Sequence, residues 1–132
     1  MKYVCLGYFD EKRWENLPEA ERRALMDRCL QYDEELKRTG HFVGGEALQG
    51  ARNAATLRYR DGAVTVTDGP FSETREQIGG ILFLEARDLN DAIQLMSRHP
   101  GVRIGPFEIR AVEELGEMLQ ASERAEALRV KG

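Results

Sequence analysis

Asp68, Gly69, Pro70 and Phe71 close a threonine–valine run and lead into Ser72, Glu73, Arg75 and Glu76, with Gly79 and Gly80 close behind. Glycine and proline serve to turn a chain. A carboxylate on one side of the turn and an aromatic ring on the other go beyond that need. An aromatic wall with a few convergent polar groups is how small-molecule pockets are lined. A glycine such as Gly80 at a strand start lets a ligand or another backbone come close. The stretch therefore marks a candidate pocket, with Asp68 as base or orienting group and Phe71, Glu73, Arg75 and Gly80 as ligand-binding residues. The same residues also suit a plain turn, in which Asp68 accepts backbone hydrogen bonds, Phe71 plugs the core and Arg75 pairs with Glu73 or Glu76 at the surface.

General acid–base work at Asp68 would need a second group within hydrogen-bond reach. His41 and His99 are the two histidines. His99 precedes Pro100 at a predicted helix end, where the helix dipole favours a charged imidazole, and it or an arginine is the candidate assistant to Asp68. Glu108 and Arg110 share one face of a late strand; they would clamp a ligand if that face lines a cavity, and otherwise form a sheet-surface pair. No histidine, cysteine or carboxylate spacing matches a metal site, and there is no phosphate-binding glycine loop, G-x-S-x-G or H-E-x-x-H. Neither a metal nor a cofactor is expected.

The elements that must position these residues are legible from periodicity. "KYVCLGY" alternates as a strand, with Val4, Leu6 and Tyr8 on one face and Tyr3 and Cys5 on the other. A helix runs between Pro18 and Gly40, with Leu25, Cys29, Tyr32 and Leu36 on its apolar face and "EAERR" and "DEE" toward water. "HFVGGEAL" is a short strand. "ATLRYRDGAVTVT" is a hairpin turning at Asp61-Gly62, which sets Tyr59 opposite Val64 and Leu57 opposite Val66. Ser72 reads as the cap of a short helical turn. "GGILFLEA" is apolar almost throughout and reads as a central strand buried on both faces. Asp88 caps a second helix ended by Pro100, "FEIRAV" is a last strand, and a helix follows from about Glu113. Its stripe of Met118, Ala121, Ala125 and Leu128 suits packing on the protein's own body.

Strand–helix–strand, hairpin, strand–helix–strand is the order of an α+β, ferredoxin-like split βαβ antiparallel sheet with an added β-hairpin. Two long helices cover only one face of such a sheet. The bare face predicts a homodimer in which two sheets pack across a twofold axis, a dimeric α+β barrel. Residues 1–113 form that domain, and 114–132 a C-terminal helical extension.

The 132 residues are enough for one domain with a real core, and 42% hydrophobic with 32% charged residues places the chain among globular proteins. A net charge of −4 and a pI near 5.3 argue against a nucleic-acid partner, since phosphates would be repelled. Cys5 and Cys29 form no C-x-x-C pair. The apolar N-terminal stretch is too short for a signal peptide and no window suits a membrane span, so the expected location is cytoplasmic.

"VTDGPFSETREQIGGILFLEARDLNDAIQLM", then "HPG" and "GPFEIRAV", resembles the YCII-related family and, within it, the DGPF-domain branch; "MKYVCLGY" and "GHFVGGEALQ" fit the same pattern. The resemblance spans about residues 1–113 and implies the dimeric α+β barrel. For the wider YCII group it implies an enzymatic role built on a histidine in the first helix and an aspartate in an Asp-Pro near the end of the second. Residues 18–38 hold no histidine, and the Asp-Pro position reads His99-Pro100, so that pair is not expected to carry over. The resemblance also implies an extracytoplasmic-function sigma factor as a partner. Two functions thus stand side by side: a small-molecule-binding homodimer with a polar cleft near Asp68, with or without catalysis, and a non-catalytic accessory protein that binds a partner.

Overall fold

The computed structural model describes residues 1–131. Its main sheet has four antiparallel strands in the order β2-β5-β1-β6, formed by β1 (Lys2–Asp10), β2 (Phe42–Ala47), β5 (Glu76–Glu85) and β6 (Phe107–Ala111). A separate two-stranded sheet pairs β3 (Ala55–Arg60) with β4 (Ala63–Asp68). The described residues also form four α-helices, α1 (Glu11–Glu15), α2 (Glu19–Arg38), α3 (Leu89–Ser97) and α4 (Gly116–Lys131), and two short 3-10 turns at Ala51–Asn53 and Pro100–Arg103. With the hairpin set aside, this is the ferredoxin-like α+β arrangement expected from the order of elements.

Local chemistry sets the element ends. Asp10 caps α1 by accepting from the amides of Lys12 and Arg13, a short helix that periodicity alone does not reveal. Helix α2 ends at Thr39, and Gly40 follows with a φ of 82° that a side chain would resist. Asp88 caps α3 through the amide of Asp91 at 2.8 Å. The hairpin turns at Asp61 (φ 51°) and Gly62 (φ 80°), and its register sets Tyr59 against Val64 and Leu57 against Val66, as the sequence predicts.

The core lies between the sheet and α2 and α3. Tyr3 and Cys5 of β1 and Leu82 and Leu84 of β5 meet Leu36, Ala92, Leu95 and Met96 from the helices. Truncating a buried leucine such as Leu84 to alanine costs about 2–5 kcal/mol in cores of this kind. The Tyr32 hydroxyl donates to the Leu95 carbonyl and so ties α2 to α3.

The other sheet face is uncovered. Strand β5 alternates: Leu82 and Leu84 are buried, whereas Phe83 is 38% exposed. Within the single chain β5 is buried on one face only, because no described element lies over the other side. Helix α4 begins at Gly116, later than Glu113, and its Met118 and Leu128 are 62% and 72% exposed. Its stripe does not pack on the body of the protein.

Candidate functional site

Helix α2 crosses the sheet over a strip of glycines: Gly7 of β1, Gly45 of β2 and Gly79 and Gly80 of β5. Missing side chains there leave a cleft of about 560 Å³ between helix and sheet. Its walls include Phe9, Trp14, Met26, Leu30, Phe42 and Phe107, so the lining is largely apolar. The rings of Phe9 and Phe107 lie over Gly79 and Gly7, where a β-carbon would overlap them.

At the helix side of this cleft stand His99 and Asp33. His99 is 7% exposed and its Nε2 lies 2.9 Å from Asp33 Oδ1. The Gly101 amide donates to His99 Nδ1 at 3.0 Å. A nitrogen that accepts carries no proton, so the ring is the neutral tautomer with its proton on Nε2, donated to Asp33. Tyr32 and Phe107 meet the imidazole edge-on, with ring centroids at 5.3 and 5.4 Å, and hold its plane. Asp33 Oδ2 has no hydrogen-bond partner among the described residues and is not a buried atom. The pair therefore leaves one carboxylate oxygen of a cleft-lining residue without a protein partner, while both imidazole nitrogens are engaged. Cys29, one turn before Asp33 in α2, also lines the cleft; burial and then the Asp33 carboxylate push its thiol pKa up, against the opposing pull of Arg28.

Asp68, by contrast, is exposed at the end of β4 and lines neither this cleft nor the neighbouring groove. Backbone closes its turn, with the Gly69 amide on the Ala54 carbonyl at 2.7 Å and the Thr56 hydroxyl on the Gly69 carbonyl at 2.9 Å. Asp68 and His99 are not brought together; the carboxylate on His99 is Asp33. Phe71 is 80% exposed and carries the Arg58 guanidinium at 5.5 Å from its ring centroid, so it is no core plug. With Pro70 and Ser72 it lines an outer groove of about 550 Å³ that reaches Tyr8 and Leu48. Ser72 caps no helical turn: residues 69–75 are irregular, and the Gln77 side-chain amide donates to the carbonyls of Ser72 and Thr74 instead.

Glu73 and Arg75 are exposed and form no ion pair among the described residues. Gly80 lines the inner cleft. Glu108 and Arg110 pair with each other on the uncovered sheet face, across from Leu6 and Val4, and line neither cavity. His41 Nδ1 bonds the Glu85 carbonyl at 2.9 Å, outside the cleft.

Asp33 is the cleft-lining carboxylate that the sequence reading places among solvated charges. The signal for it is its position four residues after Cys29, on the flank of the apolar stripe, together with a histidine at His99-Pro100. The carboxylate of this pair lies in the long helix α2 and the imidazole just after α3, the helix that follows β5.

Among the described residues no group of three or more histidine, cysteine or carboxylate side chains could hold a metal ion, and no helix is long and apolar enough to cross a membrane. The profile of the YCII-related domain matches residues 1–116. An uncharacterised protein of Rhizobium meliloti (strain 1021) is 29% identical over 114 residues, which cover 83% of this chain and 90% of that protein. The matched span takes in the whole sheet, the hairpin and both halves of the Asp33–His99 pair, and on that match the chain belongs to the YCII-related family.

Proposed function

We propose that the protein binds a small organic molecule in the cleft between α2 and the sheet, and that Asp33 accepts a hydrogen bond or a proton from it. The observation that carries this reading is the Asp33–His99 pair standing in an apolar cleft of about 560 Å³. A carboxylate that is held by one oxygen and keeps the other without a protein partner can accept a hydrogen bond from a ligand in the cleft. His99 acts as a positioning residue: it fixes Asp33 Oδ1 and turns Oδ2 toward the cleft. It cannot itself take a proton from a ligand while Gly101 occupies Nδ1. Asp33 thus replaces the earlier candidate Asp68 as the base. Amide NMR spectra recorded with a library of small aromatic and alkyl fragments test this. Shifts should gather at Leu30, Asp33, Gly80 and Gly101; shifts confined to Phe71, Ser72 and Thr74 would move the binding site to the outer groove.

The same reading includes a homodimer. Phe83 with the half-buried Val4 and Leu6 forms an apolar strip on the uncovered sheet face, and Leu57, Tyr59, Val64 and Val66 of the hairpin are each 60% exposed or more. A second copy of this sheet is the simplest cover for such a surface. Sedimentation equilibrium should return twice the chain mass, and Phe83→Asp should return one.

A second reading is favoured by α4, whose Met118, Leu119 and Leu128 are all more than 60% exposed. A helix with an unpartnered apolar stripe suits docking into a protein groove, such as that of a sigma factor. Loss of a co-purifying partner on removal of residues 116–132, with the cleft still binding its fragments, would favour this reading as an additional function.

A further inference from the structure

We infer that the molecule taken by the cleft is an organic cation, an amine on an aromatic or alkyl body. This rests on the cleft reading above and deepens it. The charged side chains on the lining are Asp33, Glu34, Glu46 and Lys37. Lys37 is already neutralised, with its Nζ 2.9 Å from Glu34 and 5.0 Å from the centre of the Phe42 ring. His99 is neutral by its hydrogen bonds. What is left is two carboxylates, Asp33 and Glu46, with no cation among the described residues to answer them.

The rest of the wall has the same preference. Trp14 and Phe9 stand edge to face at 6.4 Å, and Tyr8 and Phe107 add further rings. Aromatic faces attract ammonium groups, more strongly where water is thinned out. Lys37 over Phe42 is the protein's own instance of that contact at the cleft. An anion would meet repulsion from both carboxylates, and the one cationic side chain on the lining, Lys37, is already paired with Glu34. A neutral alcohol would satisfy Asp33 with a weaker hydrogen bond than an ammonium group gives.

Trp14 is the sole tryptophan and lines the cleft, so its emission reports occupancy. The test titrates the full chain with three probes of matched body: 2-phenylethylammonium, 2-phenylethanol and 3-phenylpropionate. The ammonium should bind about tenfold tighter than the alcohol, and the carboxylate weakest of all. Asp33→Asn should remove about that tenfold advantage, lowering the ammonium's affinity much more than the alcohol's. Glu46→Gln, a change at an exposed residue, should lower ammonium affinity about twofold, raise carboxylate affinity by a similar factor and leave the alcohol's as it was. Equal or tighter binding of the carboxylate, or ammonium binding indifferent to Asp33→Asn, overturns the inference while the cleft still binds. If none of the three perturbs Trp14, the inference and the cleft reading fall together.

Discussion

His99 and Asp33 are joined by a 2.9 Å hydrogen bond across 66 residues of sequence, and the Gly101 amide closes the imidazole's other nitrogen. The bond orients the carboxylate more than it activates the ring. In a serine-protease triad the imidazole nitrogen opposite the aspartate is free to accept a proton. Here that nitrogen is spent on the backbone, and the free atom is on the acid.

Long-range proton–nitrogen spectra at neutral pH should show His99 as the Nε2-protonated tautomer. Asp33→Asn keeps a carbonyl to accept that proton and should lower stability by only about 1 kcal/mol in urea melts. His99→Ala removes both hydrogen bonds and the packing against Tyr32 and Phe107, and should cost about 3 kcal/mol. Equal losses for the two variants would contradict the division of roles.

Gly101 sits where a β-carbon would come 3.0 Å from both His99 Nδ1 and the Phe107 ring. Gly101→Ala should therefore push the imidazole off Asp33 at a cost of about 1–2 kcal/mol. Its signature is a changed His99 tautomer ratio together with weaker ligand binding. A melt shifted without either change would mean the glycine serves packing alone.

The two thiols should separate on alkylation. Burial raises the Cys29 pKa, and the Asp33 carboxylate raises it further, so Cys29 should react slowly with iodoacetamide at pH 8. Asp33→Asn removes the second cause and should quicken the reaction severalfold. Mass mapping of the modified peptide makes the assignment.

Cys5 is fully buried, and burial alone pushes its thiol up to about 11 from 9.0. The folded state therefore holds a proton that the unfolded chain gives up. Stability from this source is intact below about pH 9 and is lost as pH rises through 11, up to about 3 kcal/mol in all. Urea midpoints should fall over that range, and the fall should flatten in Cys5→Ala.

Asp68 makes no side-chain hydrogen bond or ion pair among the described residues and is exposed. Asp68→Ala should shift stability by less than about 0.5 kcal/mol and leave cleft binding untouched. A lost ligand would restore the Asp-Gly-Pro-Phe turn as the site.

The fold was legible where local chemistry decides it. Asp61-Gly62 between alternating strands admits one hairpin register, and that register is found. The apolar stripe of α2 and the Asp88 cap likewise carry their own instructions. The site was less legible because it depends on distant residues. Asp33 opens an acidic run that local pattern assigns to water, and only the approach of His99 distinguishes it from Glu34 and Glu35. Asp68 shows the reverse: its neighbours have the composition of a pocket lip, yet the carboxylate lines neither the outer groove nor the cleft. Strand β5 is apolar enough for two buried faces, and the run itself cannot say that the chain supplies only one cover.

The hairpin of β3 and β4 hydrogen-bonds as a sheet of its own, apart from the four strands that frame Asp33 and His99. No other element makes more than passing contact with either strand. Within one chain it can consequently open and exchange its amide protons without disturbing the cleft, as a unit with its own local melting. Its tip at Asp61-Gly62 is thereby a place where inserted residues or a reporter group would be tolerated, leaving the chemistry between α2 and the sheet as it was.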